Sequence, residues 1–246
     1  MLTVGLLTGF SHVSGVDYYR GINEKASQLV PKGDHMAQNP PMIVVSMDRS
    51  KYTNLLIKSQ ESNDYAEIKE WLLQGVQRLH QAGAEFLVIS PPSAHLCYSS
   101  VREAWPGFPV LHIGDTTAVA IRSFGFKTVG LLGFEEGMRA RLEAHGLHVL
   151  VLPDAVSKKG VDIFFAELVH GKMSEEAKAA FIGGCRDLFV AGGQAVVLGT
   201  PEIEALVQQR DVPDIPLICP VEHHVAAAAN VAVGQAWVED FAPPWS

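Results

Sequence analysis

Two hydroxyls stand where apolar runs end. Ser90 closes Glu85-Phe86-Leu87-Val88-Ile89, and Thr200 follows Ala195-Val196-Val197-Leu198-Gly199. Short, continuous apolar runs rich in β-branched residues read as buried strands. Each hydroxyl therefore sits where a strand opens into a loop and a side chain can meet a ligand. An aliphatic hydroxyl acts as a nucleophile or base near neutral pH only beside a second base or a metal. The candidates for that second group are the histidines His12, His95, His223 and His224, and Cys219, which ends another apolar run before Pro220. A histidine can serve as the base, although His95 and His224 also read as structural residues at helix starts. Cys219 reads either as a catalytic thiol or as a small core residue. His223 and His224 are adjacent and point to different sides of a helix, a poor chelating geometry, so no metal site is expected. Ser90 lacks the Gly-x-Ser-x-Gly setting of a serine hydrolase.

A second group of residues suits an anion. Ser11 and Ser14 lie in the loop after the first strand, at a helix start, where they can cap the helix or meet a carboxylate. Arg49 follows Met47-Asp48 just beyond a strand and can grip a carboxylate in bidentate fashion or pair with Asp48. Ser93 offers a hydroxyl beyond Pro91-Pro92, whereas Pro91, Pro92 and Pro201 supply no N–H. Cys185 falls on an amphipathic helical pattern and Cys97 lies further along the chain from Ser90, so neither is placed for chemistry.

The elements that must hold these residues follow from hydrophobic patterning. Strands are predicted over 3–7, 42–47, 86–90, 110–113, 128–132, 148–152, 195–199 and 217–219, and helices over stretches such as 65–81, 139–145, 174–189 and 221–231. Ser174 is a predicted N-cap. Continuous apolar strands alternating with helices imply a parallel sheet covered on both faces. The chain also looks doubled. Val4-Gly5-Leu6-Leu7 returns as Val129-Gly130-Leu131-Leu132, and the run into Ser90 returns as the run into Thr200. The predicted fold class is α/β, with two pseudo-twofold-related, doubly wound parallel-sheet domains and a cleft between them. The first domain comprises 1–113 plus 218–246 and the second 114–217. Ligands of such sheets sit outside the carboxyl ends of the strands.

Composition narrows the function classes. A net charge of −8 without any basic stripe argues against nucleic acid as a partner. No apolar run reaches the ~18–20 residues of a membrane helix, and the N-terminus reads as a first strand, not as a signal peptide. Three widely spaced cysteines, Cys97, Cys185 and Cys219, suggest free thiols in a reducing compartment. A soluble cytoplasmic protein is expected.

Several motifs, in order, carry a family resemblance. They are Gly9-Phe10-Ser11 with Ser14 and Tyr18 to Glu24, then Pro109 to Asp115 with Thr116-Thr117, then Val129 to Gly133 and Arg141 to Leu147. Val197 to Ile203 and Ile215-Pro216-Leu217 with Glu222 and His224 complete the set. On these the chain resembles the aspartate/glutamate (Asp/Glu/hydantoin) racemase superfamily from about residue 2 to residue 230. The resemblance implies a two-domain α/β protein, a homodimer, that needs no pyridoxal cofactor. It further implies two cysteines, one per half, that exchange a proton on opposite faces of a substrate α-carbon. The first family motif resembles Cys-Thr-Asn-Thr-Met-His, and this chain has Ser90-Pro91-Pro92-Ser93-Ala94-His95. The second resembles Gly-Cys-Thr-Glu, and here it is Gly199-Thr200-Pro201-Glu202. Both thiol positions therefore hold hydroxyls. The loop after Gly133, Thr-bearing in such relatives, opens with Phe134.

Two functions remain open. One is an isomerase-type enzyme, racemase-like or a related lyase or decarboxylase, moving a proton at the carbon beside a small carboxylate. Ser90, Thr200, His224 and Cys219 would be its catalytic residues, and Ser11, Ser14, Arg49, Ser93 and His95 would bind substrate. The other is a catalytically silent protein that keeps the ligand and loses turnover.

Overall fold

The apolar runs become strands because both of their faces are covered. β1 (Val4–Thr8) and β3 (Phe86–Ile89) are buried throughout. With β2 (Met42–Ser46) and β4 (Val110–Leu111) they form a parallel sheet in the order β2-β1-β3-β4. β5 (Thr128–Leu132), β6 (His148–Leu150), β7 (Ala195–Leu198) and β8 (Leu217–Ile218) repeat that order as β6-β5-β7-β8. All eight predicted strands are present, several shortened by one or two residues at an end. The computed structural model describes residues 1–30, 38–133 and 137–244, with His12 and Val13 as backbone alone. The His12 side chain and Phe134, both singled out in the sequence, lie outside the described residues.

The connections are helical: α1 (His12–Leu29), α2 (Arg49–Ser62), α3 (Ala66–Gln81), α4 (Tyr98–Ala104), α5 (Ile113–Ser123), α6 (Met138–Ala144), α7 (Asp154–Ala166), α8 (Glu175–Val190), α9 (Pro201–Leu206) and α10 (Pro220–Ala232). Ser174 caps α8 as predicted, its side chain accepting from the Ala177 N–H. None of the described helices is long and apolar enough to cross a membrane.

The chain forms two compact units, 1–113 with 224–242, and 114–223 with 243–246. The chain enters the second unit at Gly114, within α5, and returns at His224, within α10. The hydrophobic pattern predicts the return at 218, at the last strand. It falls later because β8 pairs with β7 and stays with the second sheet.

Each unit has its own core. In the first, Leu7, Leu87 and Ile89 pack with Leu72, Val76 and Leu79 of α3. In the second, Leu132, Val196 and Leu198 pack with Phe181, Cys185 and Leu188 of α8. The repeated Val-Gly-Leu-Leu motif has a physical cause here. A Cβ on Gly5 would come within 2.7 Å of the Ala84 Cβ, and one on Gly130 within 2.6 Å of the Leu188 Cβ. Only glycine lets the chain at the end of α3, and α8 itself, lie that close to the first strand of each sheet.

The ladder also places the two hydroxyls. The Ser90 N–H donates to Leu7 O at 3.0 Å, and the Gly199 N–H donates to Leu132 O at 2.7 Å. Ser90 thus matches Gly199 in the repeat, and Thr200 stands one residue further from its strand.

Candidate functional site

The carboxyl edge of the first sheet gathers hydroxyls. Ser90 is fully buried and its Oγ donates to Thr8 Oγ1 at 3.3 Å. Thr8 in turn lies against the first turn of α1, where a Cβ on Gly15 would meet Thr8 Oγ1 at 2.5 Å. Beside Gly15 is Ser14, 7% exposed, whose Oγ has no hydrogen-bond partner among the described residues. Ser11 is the N-cap of α1, yet its side chain makes no capping bond. The first N–H groups of a helix have no acceptor within the helix. The N-terminus of α1 thus presents partial positive charge and a buried hydroxyl with no acceptor of its own, a setting that suits an anion.

The remaining first-unit candidates divide. Asp48 caps α2 by accepting from the Lys51 N–H at 2.9 Å, and Arg49 is the first residue of that helix, exposed. Ser93 is exposed and hydrogen-bonded to Tyr52 through their hydroxyls at 2.7 Å, while burial pushes the Tyr52 phenol well above its ordinary pKa.

His95 and His224 belong to a buried cluster. Nε2 of His95 donates to Ile89 O at 3.1 Å, which fixes the carbonyl just before Ser90. Nε2 of His224 donates to Leu111 O at 3.0 Å, and Tyr18 OH bonds its Nδ1 at 2.8 Å. A carbonyl only accepts, so each Nε2 carries the hydrogen. In the neutral ring, His224 Nδ1 then accepts from Tyr18. Both nitrogens of His224 are therefore committed to the fold, and the residue is fully buried. These bonds favour the structural reading of His224 that the sequence also offers. His112 completes the cluster, its ring centroid 4.4 Å from that of His95, with Tyr98 edge-on to it. Among the described residues no three His, Cys, Asp or Glu side chains converge as metal ligands.

The carboxyl edge of the second sheet has a different chemistry. Thr200 is 7% exposed and N-caps α9, its Oγ1 accepting from the Ile203 N–H at 3.3 Å. One turn later, Glu204 Oε1 accepts from the Val221 N–H at 3.4 Å, near the start of α10. Burial, then the carboxylates of Glu222 and Glu202, push the Glu204 carboxyl up to about 8. The same surroundings act on Cys219. Burial first, and then Glu204 and Glu222, push its thiol up to about 12. A reactive thiolate needs electropositive neighbours, and Cys219 has carboxylates. These surroundings favour the reading of Cys219 as a small core residue. Cys97 and Cys185 are also pushed up to about 12 by burial.

Three further residues of the resembling motifs meet in one place. Arg141 holds both carboxylate oxygens of buried Asp115, and His145 Nε2 lies 3.0 Å from Asp115 Oδ1. This cluster ties α5 to α6 and is structural.

Comparison with known families matches residues 7–228 to the Asp/Glu/hydantoin racemase family. The chain belongs to that family. Among solved structures, an Asp/Glu racemase candidate from Yersinia pestis is 31% identical over 95% of this chain and 100% of its own, with a TM-score of 0.82. An aspartate racemase homologue from Pyrococcus horikoshii is 24% identical over 94% and 99%, with a TM-score of 0.72. Glutamate racemase from Bacillus anthracis, 12% identical over 96% and 83%, shares the fold at a TM-score of 0.60.

The motifs of the racemase family thus divide into sheet-edge residues and structural ones. Thr8, His112 and Glu204 join these sites without being singled out by the sequence pattern. Thr8 had a signal, since it puts a hydroxyl at the end of an apolar strand. Glu204 follows Thr200 by one helical turn, but its burial depends on the start of α10, which sequence spacing does not reveal.

Proposed function

We propose that this racemase-family protein binds a small carboxylate, an amino acid or related acid, at the carboxyl edge of its first sheet and moves a proton at the carbon beside it, without a pyridoxal cofactor. The observation that carries this reading is the buried hydroxyl of Ser14 in the first turn of α1, next to the Thr8–Ser90 pair. A ligand carboxylate accepting from Ser14 and from the α1 N–H groups would satisfy donors that the fold leaves over. The same donors would stabilise the negative charge that grows on that carboxylate as the α-proton leaves. Ser90 would lie beside the reacting carbon, its single O–H turning from Thr8 to the ligand. In the second unit, Thr200 would be held by its cap to α9. Arg49, Ser93 and His95 would contribute to substrate binding. His95 would act by fixing the strand end before Ser90.

A second reading is a silent binder that keeps the carboxylate site and no turnover. It is favoured by the commitment of Ser90 and Thr200 to internal hydrogen bonds and by the high thiol pKa values. Proton NMR in D₂O separates the two, using both enantiomers of aspartate and glutamate and a panel of small mono- and dicarboxylates. Loss of an α-proton signal supports the enzyme. A saturable thermal shift with no exchange supports the binder. Neither response from any acid removes both readings.

A further inference from the structure

Two helices of the second unit carry glycine where neither packing nor backbone geometry asks for it. Gly183 lies inside α8, and a Cβ placed on it would meet nothing within 4 Å. Gly160 lies inside α7, and its Cβ would meet only Phe181 Cε1, at 3.8 Å, an ordinary contact. The neighbour Gly184 is different, because Leu132 Cδ1 would be 2.9 Å and Leu152 Cδ1 3.1 Å away. Packing explains Gly184 and leaves Gly160 and Gly183 without a structural reason. Interior glycine weakens a helix relative to alanine, and an apolar void forfeits contacts as well.

What these two glycines provide is space. Both line a cavity of about 180 Å³ between α7, α8 and the end of β5, walled by Leu132, Val161, Phe164, Phe181 and Ile203. This is smaller than the roughly 300–1,000 Å³ of pockets for drug-sized ligands, a size for one side chain. α7 has no fully buried residue, and its Val156, also in the lining, is 41% exposed. Two residues of the lining are charged, Lys159 and Asp187. Both are exposed, and neither makes an ion pair among the described residues.

An apolar pocket with one cation and one anion that are unpaired among the described residues matches a particular chemistry. A fatty acid would leave Asp187 facing its carboxylate, and an amine would leave Lys159 facing its ammonium. A zwitterion with an apolar side chain answers all three features. We propose that this cavity is a binding site for a free α-amino acid with an apolar side chain, its carboxylate on Lys159 and its ammonium on Asp187. The bound side chain would pack on Ile203, whose N–H holds the Thr200 hydroxyl, so occupancy would bear on the start of α9. The proposal is independent of whether the protein turns over a carboxylate.

The test is calorimetry on the full chain with leucine, 4-methylpentanoate, which lacks the ammonium, 3-methylbutylamine, which lacks the carboxylate, and aspartate. Leucine should bind saturably, and each of the other three at least ten-fold more weakly. Gly183→Leu, which fills the space, should weaken leucine binding at least ten-fold without lowering Tm. Lys159→Met and Asp187→Asn are surface changes that keep the test sound if the filled variant fails to fold, and each should weaken leucine by a similar factor. Leucine should also shift the Gly160 and Gly183 amide signals in a ¹⁵N spectrum. Absence of saturable binding by leucine, valine and phenylalanine overturns the proposal. So does equal binding of leucine and its charge-deleted analogues, or leucine affinity unchanged in Lys159→Met and Asp187→Asn.

Discussion

A buried hydroxyl without a partner costs about 1–3 kcal/mol, and Ser14 carries one beside the Thr8–Ser90 pair. If a ligand carboxylate is its partner, Ser14→Ala should leave the unliganded protein as stable or more stable. The same change should weaken the carboxylate ligand roughly 10- to 100-fold, the worth of a hydrogen bond to a charged group. Paired denaturation and ligand-titration curves read both effects, and a stability loss with unchanged affinity would assign Ser14 to the fold instead. The thiols give a second residue-level expectation. With Cys97, Cys185 and Cys219 all near 12, alkylation of the native protein at pH 8 should be on the order of 100-fold slower than that of a free cysteine, whose pKa is about 8.5. A fast-labelling Cys219, located by peptide mapping, would restore the thiol mechanism. Sequence made Ser90, Thr200 and Ser14 visible as hydroxyls at strand and helix ends. It could not show that His224 spends both nitrogens on Tyr18 and Leu111, because those partners are 206 and 113 residues away. It showed Glu222 one turn beyond Cys219 but not that Glu204, on the preceding helix, folds against the same thiol.

Elements were more legible than sites, and the cause is periodicity. A strand covered on both faces leaves a continuous apolar run, which is why β3 and β7 could be placed from Phe86 to Ile89 and from Ala195 to Leu198. α7 left a weaker trace, since a helix with no fully buried residue has little reason to be amphipathic. Two glycine substitutions test the packing argument in opposite directions. Gly9, at φ +101°, ends β1, and a Cβ there would come within 2.2 Å of both Met47 N and Met47 O. Met47 N–H is also the donor to Thr8 O. Gly9→Ala should therefore destabilise by about 2–4 kcal/mol, through strain and displacement of the β1–β2 edge. Gly183→Ala places a methyl in open space within α8 and should stabilise by about 0.5–1 kcal/mol. Urea midpoints of the two variants should move to opposite sides of the parent, and a destabilised Gly183→Ala would mean that the space beside α8 is filled in solution.

For the whole molecule, pH is the variable that sums these local settings, and two trends oppose each other. Glu167 and Asp211 are held below the usual carboxylate range, Glu167 first by its hydrogen bond with Ser174 and Asp211 first by that with Lys178. Their contribution is present above the unfolded carboxylate pKa and is lost as pH falls through their lower folded values. Glu204 runs the other way. Its pKa is 4.5 in the ordinary case and about 8 in the fold, so between those values the unfolded chain releases a proton that the folded chain keeps. Stability from this group is complete below about 4.5 and declines as pH rises, by up to about 1.4 kcal/mol per pH unit. It levels off above about 8, where both states are ionised. The chain's net charge of −8 at pH 7 adds self-repulsion in the same direction. Glu204→Gln keeps an acceptor for the Val221 N–H and removes the titration. Its stability relative to the parent should be near zero at pH 4.5, rise steadily to pH 8 and then stay constant. The profile also bears on chemistry, because a carboxyl that titrates near neutrality suits proton transfer. If exchange in D₂O depends on the ionised Glu204, its rate should climb with pH toward 8 and then flatten, and Glu204→Gln should abolish it. A stability difference that does not vary with pH would place Glu204 in water with an ordinary pKa and remove it from either role.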